Sequence, residues 1–215
     1  MRTSVKTVIL ADGAFPEHEI PMAYLRNSER IICCDGSADQ LVKAGFIPYA
    51  IVGDLDSVSK GVSDKYADRL FREDDQETND LTKAVKWCIR NNFKDLVILG
   101  ATGKREDHTI GNISLLVEYT REAEVIMITD TGVLRPFLKS CEILSFRGQQ
   151  ISIFSINPET EITSSGLRYP LVKQKLSNWW EATLNEATGK RIDLEFEEGA
   201  LIVFLQFDPL LPLME

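Results

Sequence analysis

The chain has 215 residues, 44% of them hydrophobic, and a formal net charge of −9, enough for one large domain or two smaller ones with packed cores. The acidic balance, with no Lys/Arg cluster to reverse it locally, excludes nucleic acid as a partner, because phosphate backbones require a basic face. No apolar stretch approaches the roughly 18–20 residues of a membrane span, so no membrane association is expected.

The N-terminal stretch Met1–Thr7 lacks a signal-peptide core. The four cysteines, Cys33, Cys34, Cys88 and Cys141, show no C-x-x-C pair or metal spacing. They read as reduced thiols of a cytoplasmic protein.

In chain order, five short apolar runs predict strands, each ending in polar residues. Thr7–Ala11 ends in Asp12-Gly13, Arg30–Cys34 in Asp35-Gly36-Ser37, and Tyr49–Val52 in Gly53-Asp54. Asp95–Leu99 ends in Gly100-Ala101-Thr102-Gly103, and Glu124–Ile128 in Thr129-Asp130. Helical periodicity fills the gaps at Ala38–Ala44, Leu81–Asn91 and Thr109–Tyr119. Continuously apolar strands alternating with amphipathic helices predict an α/β domain built on a parallel sheet covered on both faces. Ligands of such sheets sit off the carboxyl ends of the strands, and that edge collects Asp12, Asp35, Asp54, Asp56 and the Gly100–Gly103 loop.

Beyond about residue 135 the texture changes. Glu142–Phe146, Gln150–Ile156, Glu161–Ser164 and Ala200–Leu205 are strand-like, and Gly148, Asn157-Pro158, Gly166, Gly189 and Gly199 punctuate them. The expectation is an N-terminal α/β domain, residues 1–135, followed by a smaller C-terminal antiparallel β-sandwich domain, residues 136–215. A linker is expected within Thr131–Cys141, around Pro136.

Three constellations carry chemistry. In Gly53-Asp54-Leu55-Asp56-Ser57 two carboxylates at i and i+2 can aim at one ion. Mg²⁺ takes oxygen ligands and shares them with substrate phosphates, although a polar turn with an N-cap explains such a string in isolation. Asp80 strengthens the metal reading. It opens a helix after Asp74, Asp75 and Glu77, and capping accounts for one of these acidic residues, not for their density.

In Gly100-Ala101-Thr102-Gly103-Lys104-Arg105-Glu106-Asp107-His108 the glycines let backbone N–H groups approach a phosphate, and the following helix adds its positive end. Lys104 and Arg105 can neutralise phosphate oxygens. It is not a Walker A loop. His108 suits an orienting role beside this loop; His18, in a loop near Pro16 and Pro21, is assigned no functional role. The third constellation is Ser177-Asn178-Trp179-Trp180, which either stacks on a flat heteroaromatic ring or packs a core.

These motifs together resemble the thiamine pyrophosphokinase (thiamine diphosphokinase) family. The resemblance runs through Asp35-Gly36-Ser37-Ala38, Gly53 to Ser57, and Gln76 with Asp80, Lys83 and Ala84. It continues through Gly100 to Asn112, Gly166-Leu167-Arg168-Tyr169-Pro170-Leu171, and Ser177-Asn178. Asn79 stands where the family often has Thr, and Lys104 replaces a common Gly. The stretch Trp180–Lys190 resembles an insertion.

The resemblance implies an α/β domain binding ATP and Mg²⁺ and a β-sandwich domain binding thiamine, working as a homodimer. It implies transfer of the diphosphate of ATP to the hydroxyethyl oxygen of thiamine, giving thiamine diphosphate and AMP. By the same resemblance Asp54, Asp56 and Asp80 hold Mg²⁺, and Asp35 supports them or helps activate the alcohol. Arg105, Asp107, His108 and Asn112 bind or orient phosphates, beside Gly100, Thr102, Gly103 and Lys104, whose phosphate role rests on the loop chemistry above. Gln76 contacts thiamine, and Ser177 and Asn178 reach it across the subunit interface; Trp179-Trp180 departs from the family pattern, and the contact of Trp179 with thiamine rests on its stacking capacity alone.

Two other readings stay open. A Mg²⁺-dependent phosphohydrolase would use Asp54-Leu55-Asp56 as a nucleophile motif and release phosphate without an acceptor. A non-catalytic sensor of thiamine or nucleotide would bind without turnover.

Overall fold

A computed structural model describes residues 7–207. The chain divides into two compact units. The first runs to Ile113 and regains the chain at Glu122–Asp130; the second takes Ser114–Arg121 and everything from Thr131 onward.

The first unit contains β1 (Thr7–Leu10), α1 (Glu19–Asn27), β2 (Arg30–Cys34), α2 (Ser37–Lys43), β3 (Ala50–Gly53), α3 (Lys60–Lys65), β4 (Leu70–Arg72), α4 (Asp80–Arg90), β5 (Asp95–Leu99), α5 (Glu106–Ser114) and β6 (Glu124–Ile128); α6 (Leu116–Thr120), which lies between α5 and β6, belongs to the second unit. The first unit's strands lie in the order β6-β5-β1-β2-β3-β4, and every neighbouring pair is parallel. Parallel strands buried on both faces need apolar residues at every position, and β1, β3 and the last four residues of β2 and β5 are buried throughout. The strand order reverses between β1 and β5, so the crevice at their carboxyl ends is the topological switch point of the sheet.

Helix α4 shows how the sequence positions the site. Leu81, Ala84, Val85 and Cys88, spaced i, i+3, i+4 and i+7, are buried where the helix packs on β2 and β3. Its N-cap Asn79 accepts a hydrogen bond from the Thr82 backbone N–H at 2.9 Å.

The second unit adds β7 (Gly132–Phe137), β8 (Cys141–Leu144), β9 (Gln150–Ser155), β10 (Glu161–Ser165), β11 (Gln174–Lys175), β12 (Asn185–Glu186), β13 (Arg191–Glu195) and β14 (Leu201–Gln206). These strands pair antiparallel in two arrays, β12-β9-β14-β7 and β11-β10-β13-β8. Ile151, Ile153, Leu201, Val203 and Leu205 of the first array share one core with Ile143, Ile162, Ile192 and Leu194 of the second, which makes the unit a β-sandwich. Each such side chain contributes about 1.5–3 kcal/mol on burial.

Three expectations are corrected. The stretch taken for a linker holds β7, paired residue by residue with β14 from Gly132↔Gln206 to Phe137↔Leu201. Gly132 there lets β14 approach closely, because a Cβ would meet the Phe204 ring at 2.7 Å. The helix expected over Thr109–Tyr119 is two, α5 and α6, and the compact units divide at this break. The loop around His18 begins α1: His18 is its N-cap, and Pro21 falls in the first turn, where a missing N–H costs nothing.

Candidate active site

The parallel register brings the ends of β1, β2, β3 and β5 to one edge. Asp35 follows β2 and is buried, and its backbone N–H reaches across to Val52 O at 3.0 Å. Its φ of 40° is left-handed, a conformation Asp adopts more readily than most residues. Gly53 makes room for it: a Cβ there would lie 2.9 Å from the Asp35 Cβ.

Leu55 also has a left-handed backbone, φ 66°, which is uncommon for a branched side chain. The flanking turn directs Asp54 and Asp56 to the same side. Asp35, Asp54 and Asp56 each present a carboxylate oxygen within 4.8 Å of the others.

Electrostatics separate these carboxylates. Burial, reinforced by the neighbouring Asp54 carboxyl, pushes Asp35 up to about 7. Desolvation would also raise Asp54, but the Asp56 backbone N–H, its bond with Asp35 and the charge of Lys83 outweigh it and hold it low. Oδ1 of Asp35 is buried with no hydrogen-bond partner. Carboxylates packed this closely, one of them with an unpartnered oxygen, could hold a hard cation such as Mg²⁺.

Asp80 begins α4 and joins the group through Lys83, one turn along the same helix face. Lys83 is buried, with Nζ 2.9 Å from Asp80 Oδ1 and 3.8 Å from Asp54 Oδ2. Burial alone would lower its pKa; the bond to Asp80 and the charges of Asp80, Asp54 and Asp35 outweigh this and raise it. Lys83 was visible in the sequence only as a motif position; its i, i+3 spacing from Asp80 was the available signal of its role.

The glycine loop is locked to the loop after β1. Gly13 N–H donates to Gly100 O at 2.6 Å and Ala14 N–H to Thr102 O at 2.7 Å. Gly100 and Gly103 have φ of 65° and 87°, and a Cβ on Gly103 would lie 2.7 Å from that of Ala14. Lys104 crosses the switch point to Asp12 at 2.9 Å, and Gln40 donates to the same oxygen at 3.0 Å.

Arg105 pairs with Asp107 at 2.5 and 3.1 Å. That pairing, with the His108 backbone N–H, lowers Asp107 to about 2. His108 is exposed in the first turn of α5. Asn112 is buried; it donates to Ala101 O at 2.9 Å and accepts from Asn79 Nδ2 at 3.0 Å.

Gln76 is exposed on the segment before α4. In the second unit, Glu181 organises the predicted polar pair. It accepts from Ser177 N–H at 3.0 Å and from Asn178 Nδ2 at 3.2 Å. Trp179 leans edge-on against Phe154 of β9, with centroids 5.7 Å apart, and is 38% exposed, which leaves ring surface for a ligand.

The comparisons agree in both units. The family model "Thiamin pyrophosphokinase, catalytic domain" matches residues 22–128, and "Thiamin pyrophosphokinase, substrate-binding domain" matches residues 132–204. A thiamine pyrophosphokinase of Bacillus subtilis is 26% identical over 215 residues, covering 95% of this chain and 100% of the relative. One from Caenorhabditis elegans is 27% identical over 193 residues, covering 82% and 79%.

Among solved structures, the fold matches thiamine pyrophosphokinase of Bacillus subtilis with a TM-score of 0.76 at 24% identity, covering 94% of this chain and 100% of that one. It matches the Candida albicans enzyme with a TM-score of 0.76 at 18% identity, covering 94% and 90%. These matches do not favour the hydrolase or sensor readings. With both domain models matched in order over most of its length, the chain belongs to the thiamin pyrophosphokinase family, and its activity is that of a thiamine diphosphokinase.

Proposed function

We propose that the carboxylate edge of the first unit binds MgATP and directs its β-phosphorus to the hydroxyethyl oxygen of thiamine. The observation that most supports this is the meeting of Asp35, Asp54 and Asp56 within 4.8 Å, around an unpartnered buried oxygen. Asp54, Asp56 and Asp80 would hold Mg²⁺, with Asp35 beside Asp54 and Asp56 supporting them and Asp80 tied to the group through Lys83. Bound there, Mg²⁺ would neutralise charge on the triphosphate oxygens.

Gly100, Thr102 and Gly103 present the backbone of the loop to the phosphates. Lys104 and Arg105 supply positive charge, and Asp107, His108 and Asn112 orient them. The alcohol oxygen forms a bond to the β-phosphorus, the bond from that phosphorus to the α,β-bridging oxygen breaks, and AMP leaves. Asp35 takes the hydroxyl proton late in the step. Positioning and charge neutralisation supply most of the acceleration, as in phosphoryl transfer generally.

Thiamine is itself a cation, and the acidic chain suits it. Gln76 and Trp179 contact it in this proposal, with Ser177 and Asn178 contributed across a homodimer interface. A cytoplasmic setting is part of the reading, supported by the four free thiols. No helix among the described residues is long and apolar enough to cross a membrane.

Incubated with ATP, Mg²⁺ and thiamine, the purified protein is expected to release AMP and thiamine diphosphate in equal amounts. Phosphate release without thiamine would support a hydrolase instead, and saturable binding without turnover a sensor. Trp179→Ala is expected to raise the thiamine KM by about tenfold, given the roughly 1–3 kcal/mol typical of a ring stacked on an aromatic side chain, with little change in the ATP KM. An unchanged thiamine KM would return Trp179 to packing against Phe154.

A further inference from the structure

We infer that Asn79 and Asn112 form an amide strut that sets the spacing between the glycine loop and the start of α4, and that both are positioning residues for diphosphate transfer. The inference rests on the proposed assignment of ATP phosphates to the glycine loop and of Asp80 to the metal-binding group. Four hydrogen bonds form one line. Asn112 Nδ2 donates to Ala101 O at 2.9 Å, and Asn112 Oδ1 accepts from Asn79 Nδ2 at 3.0 Å. Asn79 Oδ1 then accepts from both the backbone N–H and the hydroxyl of Thr82, at 2.9 and 2.8 Å.

Each end of the line is fixed to reacting machinery. At one end Ala101 sits between Gly100 and Thr102, whose carbonyls hold Gly13 and Ala14 of the loop after β1. At the other, Asn79 precedes Asp80, and Asp80 shares Lys83 with Asp54. The strut therefore sets the gap between the site of the phosphates and the carboxylates opposite.

Asn112 is buried, so losing the Asn79 amide leaves its Oδ1 short of a partner, and the Asn112 side chain, with the Ala101 carbonyl bonded to it, must shift to recover one. Asn112 Nδ2 and Oδ1 are each engaged within the chain, so in this inference Asn112 acts on phosphate through Ala101. A helix cap alone requires only the Asn79 oxygen; its Nδ2 is committed to a residue 33 positions away.

Asn79→Ser separates the two roles. Ser caps helices as well as Asn, but its hydroxyl is too short to reach Asn112. The variant is expected to keep its Tm and a thiamine KM within twofold of the parent. Its kcat should fall about 10- to 100-fold, the scale of a misplacement of about 1 Å.

Asn112→Asp, nearly isosteric, should lower kcat by a similar factor. The double variant should be no slower than the slower single, because both cut one line. A kcat for Asn79→Ser within twofold of the parent would overturn the strut, as would losses that multiply in the double variant. Arg105→Ala keeps the underlying assignment separate: its ATP KM rises if the loop holds phosphate, so that rise beside a normal Asn79→Ser kcat overturns the strut alone.

Discussion

Replacing Asp54 or Asp56 with Asn is expected to reduce thiamine diphosphate formation by about a hundred- to a thousand-fold, the usual effect of deleting one preorganised electrostatic group. The fold should survive. Both side chains stand on a turn at the sheet edge, Asp56 is exposed, and the amide is nearly isosteric. Against the cost of desolvation, the Asp56 N–H, Asp35 and the charge of Lys83 favour ionised Asp54 in the folded chain, so metal-free Asp54→Asn should melt slightly below the parent, and Asp56→Asn, on an exposed side chain, close to it.

A second readout is independent of turnover. A cation that binds only the folded chain stabilises it in proportion to the logarithm of its concentration over Kd. Millimolar Mg²⁺ should therefore raise the Tm of the parent and have little effect on Asp54→Asn or Asp56→Asn. Near-normal rates together with an intact Mg²⁺-induced shift in both variants would remove these residues from the metal site.

Gly13→Ala should be nearly as damaging for a different reason. A Cβ at this position would collide with the carbonyl oxygens of Gly100 and Thr102 and lie 2.9 Å from the Thr102 nitrogen. All three atoms are backbone, so no side chain can turn aside, and the two loops at the switch point must part. Overpacking of this kind costs about 1–3 kcal/mol, which lowers Tm by roughly 2–4 °C per kcal/mol in a chain of this size. The Gly13 and Ala14 bonds to the glycine loop would stretch, and kcat should fall by about a hundredfold. Gly61→Ala is the control: nothing lies within 4 Å of its added Cβ, and the helical substitution should leave rate unchanged and Tm equal or higher. Equal behaviour of the two variants would contradict the steric argument.

The sequence disclosed those parts of the fold whose apolar residues run without interruption. Arg30–Cys34, Asp95–Leu99 and Glu124–Ile128 are strands with the bounds the sequence predicts. β4 was invisible because it has three residues, of which only Leu70 is even half-buried. α1 was hidden by Pro16 and Pro21, which punctuate a sequence unless the proline falls in a first turn. β7 was hidden by Pro136, around which the sequence reads as a linker until β14 supplies a partner.

The site divides in the same way. Asp35, Asp54 and Asp56 could be grouped because each follows a recognisable strand. Lys83 between two carboxylates, Glu181 beneath Ser177 and Asn178, and Asn79 against Asn112 depend on distances that no local pattern encodes.

Strand β1 has a consequence for how the protein is made. Its four residues pair on one side with Arg30–Cys33 and on the other with Leu96–Leu99. A ribosome delivers the first partner soon after β1 and the second only some 90 residues after β1 itself. Until then the nascent chain carries an apolar strand, buried throughout in the finished fold, at an open edge available to any extended segment nearby. Pairing across such a separation is slow, so the intermediate persists throughout the synthesis of β2, β3 and α4. The biosynthetic yield of this protein should therefore depend on translation pace and chaperone capacity more strongly than the stability of its finished fold would suggest.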